Sequence, residues 1–332
     1  MTFPINDLLN PEALPDPTEK TSLVQTHISF VIIADNFVYK IKKPVNFGFL
    51  DFSTMEKREY FCHREIVLNK RLTTDIYLDV LPVYFNGMNY RIGEGDGEVI
   101  DYAVKMKKIP EDMLMKFMFE KGLLTEGHLL KISAKLAHFH MNAAQSEDID
   151  RFGAPEIFKI NTDENFKQTE KYKGITIDGN DFEHIKKWTD NFYKENKDLF
   201  YDRIKSQTIR DCHGDLHMEH ICLTDSIPIF DCIEFNERFR YTDTLADIAF
   251  LLMDLEHRGG RAFAEILWKD YAKITGCIDM GPLLTFYKVY RAYVRGKVIS
   301  FQLDDENIGP QTKEESISIA KSYFQLAKNY IL

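Results

Sequence analysis

Long apolar runs are missing from this chain. The longest, such as Ile248-Ala249-Phe250-Leu251-Leu252-Met253, fall far short of the roughly 20 residues that a bilayer-crossing helix needs, so no membrane partner is expected. Cysteine is scarce: Cys62, Cys212, Cys222, Cys232 and Cys277 are scattered, odd in number and without zinc-finger spacing, which predicts reduced, buried thiols. An excess of basic residues is also missing. Lys and Arg total 42 against 52 Asp and Glu, a net charge of −10, and such a chain repels phosphate backbones, so nucleic acid is not an expected partner. The stretch Met1–Glu19 has no basic segment followed by an apolar one, so it is read as no secretory signal and the expected location is cytoplasmic. There is no internal repeat, and no Gly-x-x-x-x-Gly-Lys-Ser/Thr loop, which excludes a P-loop nucleotide site. Gly93-Glu94-Gly95-Asp96-Gly97 superficially resembles a phosphate-cradling loop, but its acidic side chains would repel phosphate, and it reads as a hairpin turn. What remains is a globular composition, 44% hydrophobic and 28% charged over 332 residues, enough for one large core or two lobes.

The first third reads as strands around one helix. Residues 28–33 and 37–42 are β-rich and separated by the turn signal Ala34-Asp35-Asn36. Period two places Val38, Lys40 and Lys42 on one face of the second run and Phe37, Tyr39 and Ile41 on the other. Ser53 and Glu56 have capping-box spacing and predict a helix from Ser53 to about Leu72. Phe61, Leu68 and Leu72 form its apolar stripe, and Glu65 falls on that same stripe, where an unpaired carboxylate would be costly. Strands are expected again over 81–85, 90–93 and 99–106. Past Pro110 the pattern turns helical, at Leu129, Ile132, Leu136 and Phe139 to near Asn142, and then over 181–200, 245–255 and 283–301. Strands first and helices later make an α+β chain of two lobes, 1–108 and 109–332.

The densest chemistry lies in Asp211-Cys212-His213-Gly214-Asp215-Leu216-His217-Met218-Glu219-His220, followed further on by Phe230-Asp231-Cys232-Ile233-Glu234. Two short β-like runs, 221–223 and 227–230, flank the turn Thr224-Asp225-Ser226. In such a hairpin His220 and Asp231 become neighbours, with Asp215 close by in the preceding loop. A hard cation bridging phosphate oxygens needs carboxylate ligands, and an attacking hydroxyl needs a carboxylate to accept its proton and aim it. The other half of such a site is a cation on the phosphates. An ion pair between Lys40 and Glu65 would satisfy the misplaced carboxylate and direct the lysine, and Lys42 shares the face.

On these residues the chain resembles the aminoglycoside phosphotransferase and choline kinase branch of the protein-kinase-like fold. His213-Gly214-Asp215 matches its catalytic loop and Asp231 its metal aspartate. Leu136-Ala137-His138-Phe139-His140 resembles the helix before the loop, and Asp247-Ile248-Ala249 the helix whose aspartate is structural. Phe47 to Thr54, Phe-Gly-Phe-Leu-Asp-Phe-Ser-Thr, matches bacterial stand-alone members of unassigned substrate. The resemblance spans about Val24 to Leu255. It implies a bilobal kinase-like fold, ATP or GTP with Mg2+ or Mn2+, and transfer of the γ-phosphate to a hydroxyl-bearing acceptor. In the roles it implies, Asp215 is the base, His213 bonds to backbone, Lys40 (or Lys42) with Glu65 serves the nucleotide, and Thr26 and Ser29 lie in the phosphate-covering loop. The family has asparagine where this chain has His220. Imidazole favours zinc, manganese or other transition metals over magnesium, so either His220 ligates weakly or through water, or Glu219 or Glu234 supplies the missing oxygen.

Two rival readings follow from the same residues. His213, His217 and His220 as a metal cluster would make a metal-dependent hydrolase. His220 in place of asparagine also fits a nucleotide-binding pseudokinase acting as a regulatory module. Lys288, Arg291 and Arg295 recur at helical spacing with Tyr287, Tyr290 and Tyr293 interleaved. They read as a solvated basic face, or alternatively, for Arg291 and Arg295, as recognition of an anionic acceptor. The acceptor's identity and the oligomeric state have no signature in the sequence.

Overall fold

A computed structural model of the protein describes residues 4–278, 280–305 and 308–332. The chain divides into two compact units, one comprising Met1–Leu123 and Glu219–Glu237, the other Leu124–Met218 and Arg238–Leu332.

The first unit is built on strands β1 (Ser22–Gln25), β2 (Ser29–Ile33), β3 (Phe37–Lys42), β4 (Tyr77–Phe85), β5 (Tyr90–Ile92) and β6 (Glu98–Lys107), in the order β1-β2-β3-β6-β4-β5. All neighbours are antiparallel. Between β3 and β4 runs helix α1 (Met55–Asn69), and α2 (Met115–Glu120) follows the sheet. The alternation expected in β3 is present. Tyr39 and Ile41 pack into a core with Ile32, Val83 and Ala103, while Val38 packs on the opposite face with Cys62, Ile66 and Val104. Lys40 and Lys42 share Val38's face, the face that α1 covers, so two ammonium groups are driven against a helix. The glycine-rich stretch is the turn between β5 and β6. Gly97 has φ of 121°, and a Cβ there would stand 2.2 Å from the Phe85 carbonyl oxygen, so only glycine fits.

Three local expectations are corrected. The cap of α1 is Thr54, which accepts from the Lys57 N–H at 3.3 Å. Ser53 is withdrawn from that role because both its N–H and its hydroxyl bond to Asp51, an aspartate turn that competes with capping. The helix closes at Asn69 rather than Leu72, in a turn where the Leu72 N–H bonds to the Asn69 carbonyl. The hairpin over 221–230 reverses as expected but forms only an isolated bridge, Ile221 to Ile229. Ile227 sits at φ of 45° and Pro228 has no N–H, so a longer ladder cannot form.

The second unit is helical. It contains α3 (Glu126–Asn142), α4 (Glu147–Asp150), α5 (Pro155–Thr169), α6 (Gly179–Glu195) and α7 (Lys197–Lys205). After strand β7 (Ile209–Asp211), paired with β8 (Tyr241–Asp243), and a short α8 (Glu237–Arg240), come α9 (Thr244–His257), α10 (Arg261–Thr275), α11 (Gly281–Ser300) and α12 (Pro310–Asn329). The single helix expected over 181–200 is two, because the chain leaves helical geometry at Asn196. Phe166, Ile185, Phe250, Val289, Tyr293 and Phe324 form one core among α5, α6, α9, α11 and α12. All five cysteines are buried and unbridged. Among the described residues no helix is long and apolar enough to cross a membrane.

Candidate functional site

In the sheet unit the two lysines of β3 and the carboxylate of α1 meet. Glu65 is fully buried and accepts from Lys40 at 2.9 Å through one oxygen and from Lys42 at 2.7 Å through the other. Lys40 also reaches Asp231 at 2.6 Å, and Lys42 pairs with Glu234. Charges therefore alternate along a chain: Asp231, Lys40, Glu65, Lys42, Glu234. Burial disfavours both ammonium groups, but the flanking carboxylates outweigh it and raise both above the usual lysine range. Burial likewise opposes ionisation of Glu65, yet Lys40 and Lys42 hold its carboxyl below its ordinary value. Glu234 is pushed up by burial, with Lys42 pulling the other way. Exposure separates the two lysines. Lys42 is 1% exposed and Lys40 14%, while Asp231 at the end of the chain is 40% exposed. Only that end is open to a ligand.

The backbone of Asp231 is held in the left-handed region at φ of 61°. Aspartate is among the few residues that tolerate this conformation. Its N–H donates to the Tyr77 hydroxyl at 3.1 Å, and the next N–H, of Cys232, donates to Asn69 at 2.9 Å. Asn69 is itself anchored by donating to the Glu65 carbonyl one helical turn back. His220 lies beside the carboxylate, Nε2 to Oδ2 at 3.4 Å. That separation is close to the roughly 3 Å between adjacent ligands of a small octahedral cation. A metal on Asp231 and His220 therefore fits this geometry, with imidazole as the softer donor. The other carboxylates named for the role are engaged elsewhere: Glu219 with Lys116 at 2.5 Å and Glu234 with Lys42.

The helical unit carries the His213-Gly214-Asp215 loop after β7. Gly214 has φ of 88°, a conformation that glycine adopts without strain. Asp247 of α9 accepts from the His213 N–H at 3.0 Å and from the Gly214 N–H at 2.9 Å. Its carboxylate also meets His140 Nε2 at 3.1 Å, and the other nitrogen of that ring faces the Tyr271 hydroxyl at 2.7 Å. Burial opposes its ionisation, but the His140 hydrogen bond and the neighbouring positive potential of His140, His213 and Arg291 hold Asp247 well below the carboxylate range. Two turns along α9, Asp254 accepts from the Met218 N–H at 3.0 Å. One helix face thus grips both ends of the loop. Within it, His213 is buried and its Nδ1 accepts from the Asp215 N–H at 3.3 Å, so that nitrogen is committed to the loop rather than to a metal. Asp215 is 34% exposed and lies 3.5 Å from His217 Nε2.

The remaining residues are placed as follows. Thr26 is exposed and its hydroxyl accepts from the Ser29 N–H at 2.9 Å, closing the turn before β2, while Ser29 is buried. Arg291 is corrected: it is buried rather than solvated. It donates to the Gly214 carbonyl at 2.8 Å and to the Ala246 carbonyl at 3.0 Å, tying α11 to the loop. Arg295 is half-buried over the Tyr323 ring, and Lys288 is paired with Glu256 at 2.6 Å. The sequence singles out none of Tyr77, Asn69 and Asp254, and names His140 only within the Leu136–His140 run. Asn69 and Asp254 had a usable signal, one turn after Glu65 and two turns after Asp247 on already polar-marked faces. His140 had one as a histidine next to Phe139 on an apolar stripe, and Tyr77 had none.

No family model matches the chain. Uncharacterised proteins of Mycobacterium tuberculosis and Mycobacterium bovis are 34% identical over 275 residues, 82% of this chain and 53% of theirs. The chain thus spans about half the length of the curated relatives it matches. Among solved structures, an amicoumacin kinase in complex with AMP-PNP, Ca2+ and Ami superposes with a TM-score of 0.53 at 11% identity, covering 97% of this chain and 92% of that one. A choline/ethanolamine kinase family protein from Mesorhizobium loti gives 0.51 at 12% identity over 95% and 92%. The chain has the kinase-like fold of these proteins, a curled antiparallel sheet followed by a mainly helical part.

Proposed function

We propose that the protein is a nucleotide-dependent phosphotransferase that moves the γ-phosphate of ATP or GTP to the hydroxyl of a small-molecule acceptor. The observation that carries this reading is the open end of the charge chain. In a kinase-like fold, a strand lysine is pinned by a buried helix glutamate and touches an exposed aspartate held in left-handed geometry. In these terms residues 1–108 serve the nucleotide and 109–332 supply catalysis and the acceptor site, the segment 219–237 being the part of the latter that packs with the sheet.

Lys40 neutralises phosphate charge, and Glu65 keeps its ammonium aimed. Lys42 compensates Glu65 from behind, so Lys40 can exchange Asp231 for a phosphate without leaving Glu65 bare. Asp231 and His220 would hold the divalent cation, Mg2+ or Mn2+, which supplies charge neutralisation between phosphate oxygens. Asp215 accepts the acceptor's hydroxyl proton and orients the oxygen for in-line attack, with His213, Asp247 and Asp254 fixing its loop. Positioning and charge supply the acceleration.

The test is calorimetric titration of ATP and GTP into metal-stripped protein, with and without Mg2+ or Mn2+, alongside Asp231→Asn. Metal-dependent binding lost in the variant supports the reading. Absence of binding with either metal sinks it. Nucleotide binding without turnover on any acceptor would favour the pseudokinase reading, which the substitution of His220 for asparagine also favours.

A further inference from the structure

The charge chain of the sheet unit crosses twice between β3 and the segment 231–234. Lys40 meets Asp231, and Lys42 meets Glu234. The two lysines lie on one face of the strand, about 6.7 Å apart along it, and Glu65 gives one oxygen to each. What can reach the two crossings differs. Lys40 and Asp231 are open to solvent, whereas Lys42, Glu65 and Glu234 are buried, at 1%, 0% and 5% exposed. Lys42 Nζ also lies 4.9 Å from the centre of the Phe52 ring. Separating a buried pair leaves charges that no solvent compensates, so the second crossing stays shut.

The first crossing has to open in the proposed reaction, because Lys40 turns to phosphate and Asp231 to the cation. The Asp231 carboxylate then loses the side chain that ties it to β3. Its backbone is still held at one end by Tyr77 and, through the Cys232 N–H, by Asn69. Three residues on, Glu234 ties the segment to the strand that carries Lys40. The chain beyond Glu234 packs against Phe47–Thr54, a run to which phosphotransfer itself gives no role. Phe235 stands 6.2 Å from Phe49 and 6.4 Å from Phe52 between ring centres, and the Asn236 side chain donates to the Phe49 carbonyl at 2.9 Å. That run closes on itself, Phe47 N–H to the Leu50 carbonyl and Phe52 N–H to the Val45 carbonyl. It is a formed bracket, and its Phe52 touches both Lys42 and Phe235.

We propose that Lys42 and Glu234 are positioning residues of the nucleotide site: their buried pair, braced by Phe52, keeps Asp231 in register with Lys40 while both are bound to ligand. Lys42 touches no phosphate and Glu234 no metal. The two lysines of β3 thus divide the work. Lys40 exchanges its partner, and Lys42 keeps its own.

The inference rests on the phosphotransferase reading, and its test separates the two. Mg2+-dependent binding of ATP and GTP is measured calorimetrically on wild type, Lys42→Met, Glu234→Gln and the double variant Lys42→Met/Glu234→Met. Thermal unfolding of each is followed by circular dichroism, and amide hydrogen exchange over 231–235 is measured without ligand. Replacing both members of a buried pair by apolar residues of similar volume is often neutral or stabilising. The double variant should therefore unfold near wild type and above Lys42→Met, yet bind metal and nucleotide together about tenfold or more weakly, because small misplacements are costly at a site built on geometry. Exchange over 231–235 should rise in the double variant and stay at the wild-type rate in Asp231→Asn, which loses only the first crossing. Recovery of affinity along with stability in the double variant would reduce the pair to charge compensation and overturn the inference. Exchange that rises in Asp231→Asn as much as in the double variant would also overturn it. If the double variant does not fold, Glu234→Gln, which leaves Lys42 paired with Glu65, carries both comparisons: weaker binding with faster exchange supports the role, and unchanged values overturn it. Absence of metal-dependent nucleotide binding in wild type removes the phosphotransferase reading and this role with it, whereas wild-type binding left undiminished in the variants removes this role alone.

Discussion

Two aspartates, one in each unit, show how the same side chain serves opposite ends. Asp231 in the sheet unit is 40% exposed, and its carboxylate meets the side chains of Lys40 and His220. Asp247 in the helical unit is fully buried and accepts from two successive backbone N–H groups and an imidazole. A carboxylate bonded to backbone fixes the loop that supplies those N–H groups, because releasing it would orphan them in the interior. An exposed carboxylate bonded to side chains rather than backbone can exchange them for another ligand without orphaning buried N–H groups. The pair teaches which acidic residues are free for chemistry: the ones whose bonding partners have somewhere else to go.

The largest expected effect breaks this contrast directly. Asp247→Asn should lower unfolding free energy by about 3–5 kcal/mol, the range for removing one member of a buried charged network, whereas Asp231→Asn should change it by no more than about 1 kcal/mol, since Lys40 keeps Glu65. Urea denaturation of both variants measures the difference, and equal losses would dissolve the distinction. The pH dependence adds a sign. Asp247 is depressed in the folded state, so its contribution is fully present above the ordinary aspartate value near 4 and declines as pH falls below it. The gap between wild type and Asp247→Asn should therefore narrow from pH 7 to pH 3.

A somewhat smaller loss, about 3 kcal/mol, is expected for Glu65→Gln, which leaves two lysines buried with one fewer negative charge. Glu65 is likewise depressed, so this loss too should shrink on acidification. Arg291→Met should cost about 2 kcal/mol by removing charge-assisted bonds to the Gly214 and Ala246 carbonyls. Amide exchange at His213–Asp215 should rise in Arg291→Met and stay unchanged in Glu65→Gln. Faster exchange there in Glu65→Gln would show that the two networks are one.

What was legible in the sequence follows the reach of local patterns. Glu65 on an apolar helix stripe announced a cation partner, and period two in β3 named both candidates, Lys40 and Lys42. It could not rank them, because depth below the surface depends on what covers the sheet. Chain reversal placed His220 beside Asp231 even though the hairpin forms hardly any ladder. Arg291 shows the limit. Helical spacing grouped it with Lys288 and Arg295, but spacing gives an angle around an axis and not the neighbour on that side. Here the neighbour is the buried Gly214 loop with α9. The support that Tyr77 gives the Asp231 backbone is hidden for the same reason: the partner lies far along the chain.

The cap of α1 is the mildest probe of the sheet unit and tests a purely local inference. Spacing alone favoured Ser53 with Glu56, while the structure assigns the cap to Thr54 and commits Ser53 to Asp51. Thr54→Ala should therefore cost about 1 kcal/mol, the usual loss of an N-cap hydroxyl, and Ser53→Ala no more than about 0.5 kcal/mol, because the Asp51 turn keeps its backbone hydrogen bond. The two substitutions remove hydroxyls from adjacent residues at the same helix end, so measuring both by urea denaturation cancels most effects on the unfolded chain. If Ser53→Ala were the costlier, the helix would begin one residue earlier.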